Sequence, residues 1–278
     1  MSVISFTDLK QTPNGKIVYT NRTNNNLEVV NEQMDTVAVV DARGSETLEE
    51  TRAHLMSSSS TEVDDYIFLW TAGGGVLGIV DSHRMEYDMV EGLGGAGVGE
   101  ALPVALVSHS YGRKVMTITT KKLGNVGYAN YWSKTGGGRV VTRGLDYIDK
   151  ELQYVDSIDV VLDGSVALLC GGGDERGLVV ATSFDGHFDY VNKLEFDAVV
   201  SRIKRWRKSN VFMVGSYSIM YVLQYKDAKM SKLCSISNAS SGLISWIEVV
   251  NNEVYVLDRT GSDLRKIIFN SSLEHYVN

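Results

Sequence analysis

The sequence predicts an all-β protein built from repeated four-stranded antiparallel units, and three observations carry that expectation. The first is the stretch Val155–Phe196. Alternating residues over Val155–Leu162 lead into Asp163-Gly164. A nearly continuous apolar run, Ser165–Cys170, then meets Gly171-Gly172-Gly173. A third segment, Leu178–Ser183, meets Asp185-Gly186, and a fourth spans Phe188–Leu194. Asp-Gly between such segments marks a hairpin, because glycine accepts the positive φ of a tight turn. The second observation is composition: 27 glycines against 2 prolines suits many tight turns rather than linkers or collagen-like sequence. The third is spacing. The most apolar strands of the last three units begin at Ser165, Asn210 and Glu253, a period of roughly 45 residues that matches one four-stranded blade.

Taken in order, the first unit places strands at Val3–Leu9, Lys16–Thr20, Leu27–Val30 and Thr36–Asp41, with a turn at Pro13-Asn14-Gly15. Glu46–Met56 alone leans helical: Ser45 stands at a capping position and acids fill the first turn. A second unit follows with Tyr66–Trp70, Val76–Asp81 and Glu86–Val90. The glycine-rich Gly92–Gly99 lacks the Gly-Lys-Ser/Thr of a phosphate-binding loop and reads as a connection. Pro103–Ser108 and Val115–Thr120 open the third unit, and Tyr128–Trp132 and Arg139–Thr142, flanking Gly136-Gly137-Gly138, either complete it or form an elongated hairpin on it.

Beyond Phe196, strands are expected at Ala198–Ile203, Asn210–Gly215, Ile219–Tyr225 and Lys232–Ile236. The last unit has three clear strands, Leu243–Val250, Glu253–Asp258 and Leu264–Phe269, and the tail Leu273–Val277 offers a fourth. Six units result, roughly 1–44, 61–101, 102–150, 151–196, 197–241 and 242–278, with five or seven as alternatives. An isolated four-stranded sheet exposes two faces and two edges. Packing such sheets radially buries the faces and leaves short edges. The expected fold is therefore a β-propeller of about six blades, one domain over residues 1–278.

The pattern resembles the β-propeller superfamily, although the Trp-Asp dipeptides and Gly-His blade starts of ordinary WD40 proteins are absent. Thr182-Ser183-Phe184-Asp185-Gly186-His187-Phe188 is similar to the Asp-box of sialidase-like propellers, one residue shorter and ending in Phe. In that family the box is a structural hairpin. The resemblance implies that Ser183, Asp185, Gly186 and Phe188 form such a turn, with Asp185 bonding local backbone N–H groups and Phe188 packing beneath.

Chemistry is sparse. The histidines at 54, 83, 109, 187 and 275 follow no metal-ligand spacing, so no metal or cofactor is expected. Cys170 and Cys234 are too few for a disulfide framework, and Cys170 reads as a buried thiol. Asp81, Asp156, Asp163 and Asp174 lie near strand ends, where carboxylates can converge or simply form turns. No catalytic residue is assigned.

The sharpest local feature is Lys204-Arg205-Trp206-Arg207-Lys208, four cations around an indole. It predicts a contact with a protein partner. The competing reading is an exposed connection with Trp206 folded against its blade. A formal charge of −7 argues against nucleic acid. Neither a secretory signal nor an apolar span of membrane length is visible, which fits assembly inside a cell or into a virion such as a phage particle. The expectation is a non-enzymatic docking or assembly component. The alternative is a carbohydrate-binding or sialidase-like glycoside hydrolase propeller, with glycan as partner.

Overall fold

The computed structural model describes residues 6–11, 17–21, 26–30, 33, 35–41, 67–72, 76–81, 86–91, 102–109, 114–120, 127–133, 137–173, 176–250, 253–260 and 263–269. Among these the chain forms six antiparallel sheets. The first joins β1 (Phe6–Gln11), β2 (Ile17–Asn21), β3 (Asn26–Val30) and β4 (Thr36–Asp41). The second joins β5 (Ile67–Ala72), β6 (Val76–Asp81) and β7 (Glu86–Glu91). The third contains β8 (Leu102–His109), β9 (Lys114–Thr120), β10 (Tyr128–Ser133) and β11 (Val141–Gly144), after which α1 (Leu145–Ile148) makes one short turn.

The fourth sheet joins β12 (Tyr154–Val160), β13 (Val166–Gly173), β14 (Arg176–Ser183) and β15 (Tyr190–Phe196). The fifth joins β16 (Arg202–Trp206), β17 (Val211–Gly215), β18 (Ile219–Lys226) and β19 (Lys229–Ser237). The sixth has β20 (Ile244–Val250), β21 (Glu253–Asp258) and β22 (Leu264–Ile267). Every sheet is a meander, each strand pairing with its neighbour in sequence. The helix expected at Glu46–Met56, the Gly92–Gly99 connection, the Pro13-Asn14-Gly15 turn and the tail strand Leu273–Val277 lie outside the described residues.

The contacts divide the chain into two compact units, Met1–Leu123 with Asn130–Thr142, and Gly124–Ala129 with Arg143–Asn278. In the first unit a polar cluster sits inside the third sheet. Asn130 Nδ2 donates to Thr117 Oγ1 at 3.2 Å, and the Thr142 hydroxyl donates to Asn130 Oδ1 at 2.8 Å. These buried groups are thus satisfied within their own sheet.

In the second unit the first strands of successive sheets run side by side in one direction. Ile203 N donates to Ser157 Oγ at 3.3 Å, and Arg205 N to Asp159 Oδ2 at 2.6 Å. One sheet on, the Ser201 hydroxyl donates to Ile244 O, and Lys204 Nζ meets Glu248 Oε1 at 2.9 Å. Apolar side chains fill the space between sheets. Leu168, Cys170, Val179 and Ala181 of the fourth sheet pack with Phe212, Val214 and Leu223 of the fifth. Met213, Met220 and Val222 pack with Ile244, Val254 and Val256 of the sixth. The middle strands β13 and β17 are buried along their whole length; one face of β13 packs on the fifth sheet, and β17 packs on the fourth sheet with one face and on the sixth with the other.

Three details differ from the sequence reading. Gly171–Gly173 do not stop β13 but extend it. A Cβ on Gly171 would lie 1.9 Å from Tyr154 O, so the glycine permits two backbones to approach. The turn at Asp163-Gly164 belongs to a longer loop closed by Val161 N donating to Val166 O at 3.0 Å. The first strand of the fifth sheet lies at Arg202–Trp206 rather than Ala198–Ile203. Its half-buried charged positions, Arg202 and Lys204, find partners on an adjacent first strand, so Lys204–Trp206 of the basic run is strand, while Arg207 and Lys208 begin the turn to β17.

Candidate functional site

The candidate site lies at one end of the second unit, where β12, β14, β16 and β22 finish. Strand pairing puts Val160 beside Ala167, Ala167 beside Thr182, Trp206 beside Val211, and Val254 beside Ile267. The loops 161–165, 184–189 and 207–210 therefore share that end. Leu162 N donates to Asn210 Oδ1 at 2.7 Å and ties the fourth sheet's loop to the fifth's.

The 183–189 turn is closed by its own side chains. Ser183 Oγ donates to Asp185 Oδ1 at 2.7 Å and accepts from Asp189 N at 2.9 Å. His187 N donates to Asp185 Oδ1 at 2.9 Å. Gly186 at φ 90° supplies the left-handed residue the turn needs, and Phe188 takes φ 62°. Phe184 and Phe188 are fully buried, which anchors the turn from below.

The basic run is not brought to one surface. Lys204 is half-buried and pairs with Glu248, whose carboxylate is itself nearly covered. Arg205 is buried. Burial holds its guanidinium below the usual arginine range, and the Asp159 charge opposes that shift. Trp206 is only 1% exposed and meets Phe269 with ring centroids 4.7 Å apart. Arg207 also lies over the indole, its guanidinium carbon 4.8 Å from the ring centroid. Lys208 alone is exposed.

Where β16 ends, a cavity of about 310 Å³ opens, lined by Trp206, Arg207, Glu253, Lys266 and Ile267–Phe269. Glu253 is occupied twice, by the Lys266 ammonium and by Tyr255 Oη, which donates to Oε2 at 2.7 Å. The Lys266 contact is the main reason its carboxyl lies below the ordinary glutamate range. Two N–H groups of the lining residues, Trp206 Nε1 and Arg207 Nε, are buried without an acceptor among the described residues. Leaving such a donor unmatched costs about 1–3 kcal/mol, so both are primed for one. Beside the cavity β22 is the edge of its three-stranded sheet among the described residues. Leu264 is 62% exposed, and Ile268, just past the strand, 83%.

At the opposite strand ends, a bulge between Val155 and Ser157 sets Asp156 off the ladder. Its side chain keeps access to solvent, yet the surrounding protein desolvates it enough to raise its carboxyl, against the pull of Arg202 and Arg259. Asp163 is spent on its turn, accepting from Ser165 N at 2.9 Å and Ser165 Oγ at 2.6 Å. Asp174 lies outside the described residues. Cys170 is buried, and burial pushes its thiol up, away from reactivity. Among the described residues no cluster of three or more His, Cys, Asp or Glu has the arrangement of a metal site.

Sequence reasoning missed the cavity's far wall, Glu253 and Lys266–Phe269. The only signal pointing there was the last unit's count of three strands rather than four.

No protein-family profile matches the chain, and no curated protein matches it in sequence. Solved structures do. A structure described as the Dos1 propeller aligns over 94% of this chain and 67% of its own, with TM-score 0.61 and 12% identity. A streptogramin B lyase aligns over 98% of this chain and 86% of its own, with TM-score 0.62 and 10% identity. Identity this low speaks to fold alone. The fold is a divergent all-β propeller of antiparallel sheets.

Proposed function

We propose that this propeller, taken as one domain over residues 1–278, is a non-enzymatic docking component that holds a protein partner at the β16–β22 end of the second unit. One observation carries the reading. The last described sheet ends on an edge strand, with Leu264 and Ile268 largely exposed, beside the cavity walled by Trp206 and Arg207. Edge N–H and C=O groups together with exposed apolar side chains favour strand addition by a partner. Within the original basic run, Arg207 and Lys208 take the contact. Trp206 walls the cavity, and Lys204 and Arg205 support it from below. A place in a larger assembly, such as a virion, belongs to the same proposal and rests on the chain's divergence.

The test is capture of the partner from source material followed by native mass measurement. Arg207→Ala with Ile268→Asp should abolish capture while the protein stays folded. Undiminished capture would remove this face from the proposal.

One observation favours a second reading, a carbohydrate-active propeller. Asp156, raised by desolvation, lies within electrostatic reach of Arg202 and Arg259. Acid and arginine groups of this kind suit a sugar or a reacting carbonyl. Glycan binding or turnover lost on Asp156→Asn, with capture of protein unaffected, would favour this reading over docking.

A further inference from the structure

The chemistry of the cavity narrows what docks there. Trp206 Nε1 and Arg207 Nε are buried donors lacking an acceptor among the described residues, and both belong to residues that line the cavity. Glu253 is not available to them as a charge, being held by Lys266 and Tyr255. With that pair neutralised, the charge left at the cavity is the Arg207 guanidinium, with the exposed Lys208 next in the chain. The remaining wall, Ile267 to Phe269, is apolar and continues directly from the edge strand β22.

We infer that the cavity receives a carboxylate side chain, Glu or Asp, from an extended acidic segment of the partner protein lying along β22. This rests on the docking reading and specifies its ligand. A carboxylate entering the cavity meets the Arg207 guanidinium, and a charge-assisted bond from a guanidinium is among the stronger polar contacts; a small shift of the wall would also offer its oxygens to the two covered N–H groups. Residues alternate their direction along an extended segment. One set of side chains can therefore enter the cavity while backbone groups pair with the β22 edge. The contact of Arg207 with Trp206 restrains the guanidinium before binding, so less conformational freedom is lost when the acid arrives.

The test uses the intact chain and two capped pentapeptides, Glu-Val-Glu-Val-Glu and its glutamine counterpart Gln-Val-Gln-Val-Gln, titrated by calorimetry, with sialyllactose as a carboxylate carried on a sugar. The acidic peptide should bind at least tenfold tighter than the glutamine peptide, and added salt should weaken it. Arg207→Gln should lose about tenfold, with a thermal midpoint close to wild type.

Equal binding of the two peptides, no binding of the acidic peptide at millimolar concentration, or full binding by Arg207→Gln would overturn the assignment. Sialyllactose binding that depends on Arg207, with the peptide inert, would overturn the protein source in favour of a glycan. Partner capture lost on Ile268→Asp but kept by Arg207→Gln would leave docking standing and remove the carboxylate pocket.

Discussion

The Arg207 guanidinium lies 4.8 Å from the centre of the Trp206 ring, while Phe269 meets the same indole at 4.7 Å. The indole thereby contacts both a cation from the turn that follows it and an aromatic ring just past the last strand. The contact joins the end of the fifth sheet's first strand to the end of the sixth sheet. Arg207→Ala should destabilise by about 0.5–1 kcal/mol, the worth of a cation over a ring near the surface. Arg207→Lys should recover part of that. Chemical denaturation of the two variants checks the order.

Lys204 and Glu248 pair across two first strands with the carboxylate nearly buried. Lys204→Met should cost roughly 3 kcal/mol, because it strands a covered charge. Lys204→Met with Glu248→Leu should cost much less than Lys204→Met alone. A double-mutant cycle by urea unfolding measures the difference, and additive losses would contradict the pairing.

The 183–189 turn separates polar from apolar contributions. Asp185→Ala removes the acceptor of the Ser183 hydroxyl and the His187 N–H and should cost about 1–3 kcal/mol. Phe188→Ala empties a fully buried site and should cost about 3–5 kcal/mol. Thermal unfolding should rank Phe188→Ala as the more damaging.

Much of this architecture is readable from local sequence, and the limits have physical causes. Asp-Gly turns and alternating strands act over a few residues, so the four strands of Val155–Phe196 are visible without a fold. Gly171–Gly173 mislead because glycine ordinarily punctuates. What requires it here is the Tyr154 carbonyl against the neighbouring strand, a close approach no local pattern displays. The basic run misleads for a similar reason. Asp159 and Glu248, which answer Arg205 and Lys204, lie more than forty positions away in sequence. Seen alone, four cations look like a surface. The cavity draws on three separate segments, 206–207, 253 and 266–269, so only Trp206 and Arg207 could be singled out beforehand.

Asp156 gives a pH dependence. Desolvation raises its carboxyl in the folded chain above its ordinary value, so the folded state favours the protonated form. Its penalty is absent below the ordinary aspartate range, grows as pH rises through the window up to the raised value, and is constant above it. Asp156→Asn should therefore raise the thermal midpoint at pH 7, and the gain should fade below the ordinary aspartate range. A gain that persists there would contradict the assigned cause.

The central claim is that a partner docks where Trp206, Arg207 and the β22 edge meet. The direct measurement is partner capture by wild type, by Ile268→Asp with Arg207→Gln, and by Asp156→Asn, each shown to be folded by its thermal transition. The account predicts capture by wild type and Asp156→Asn and loss only in the double variant. Retention by the double variant, or loss on Asp156→Asn alone, would contradict it.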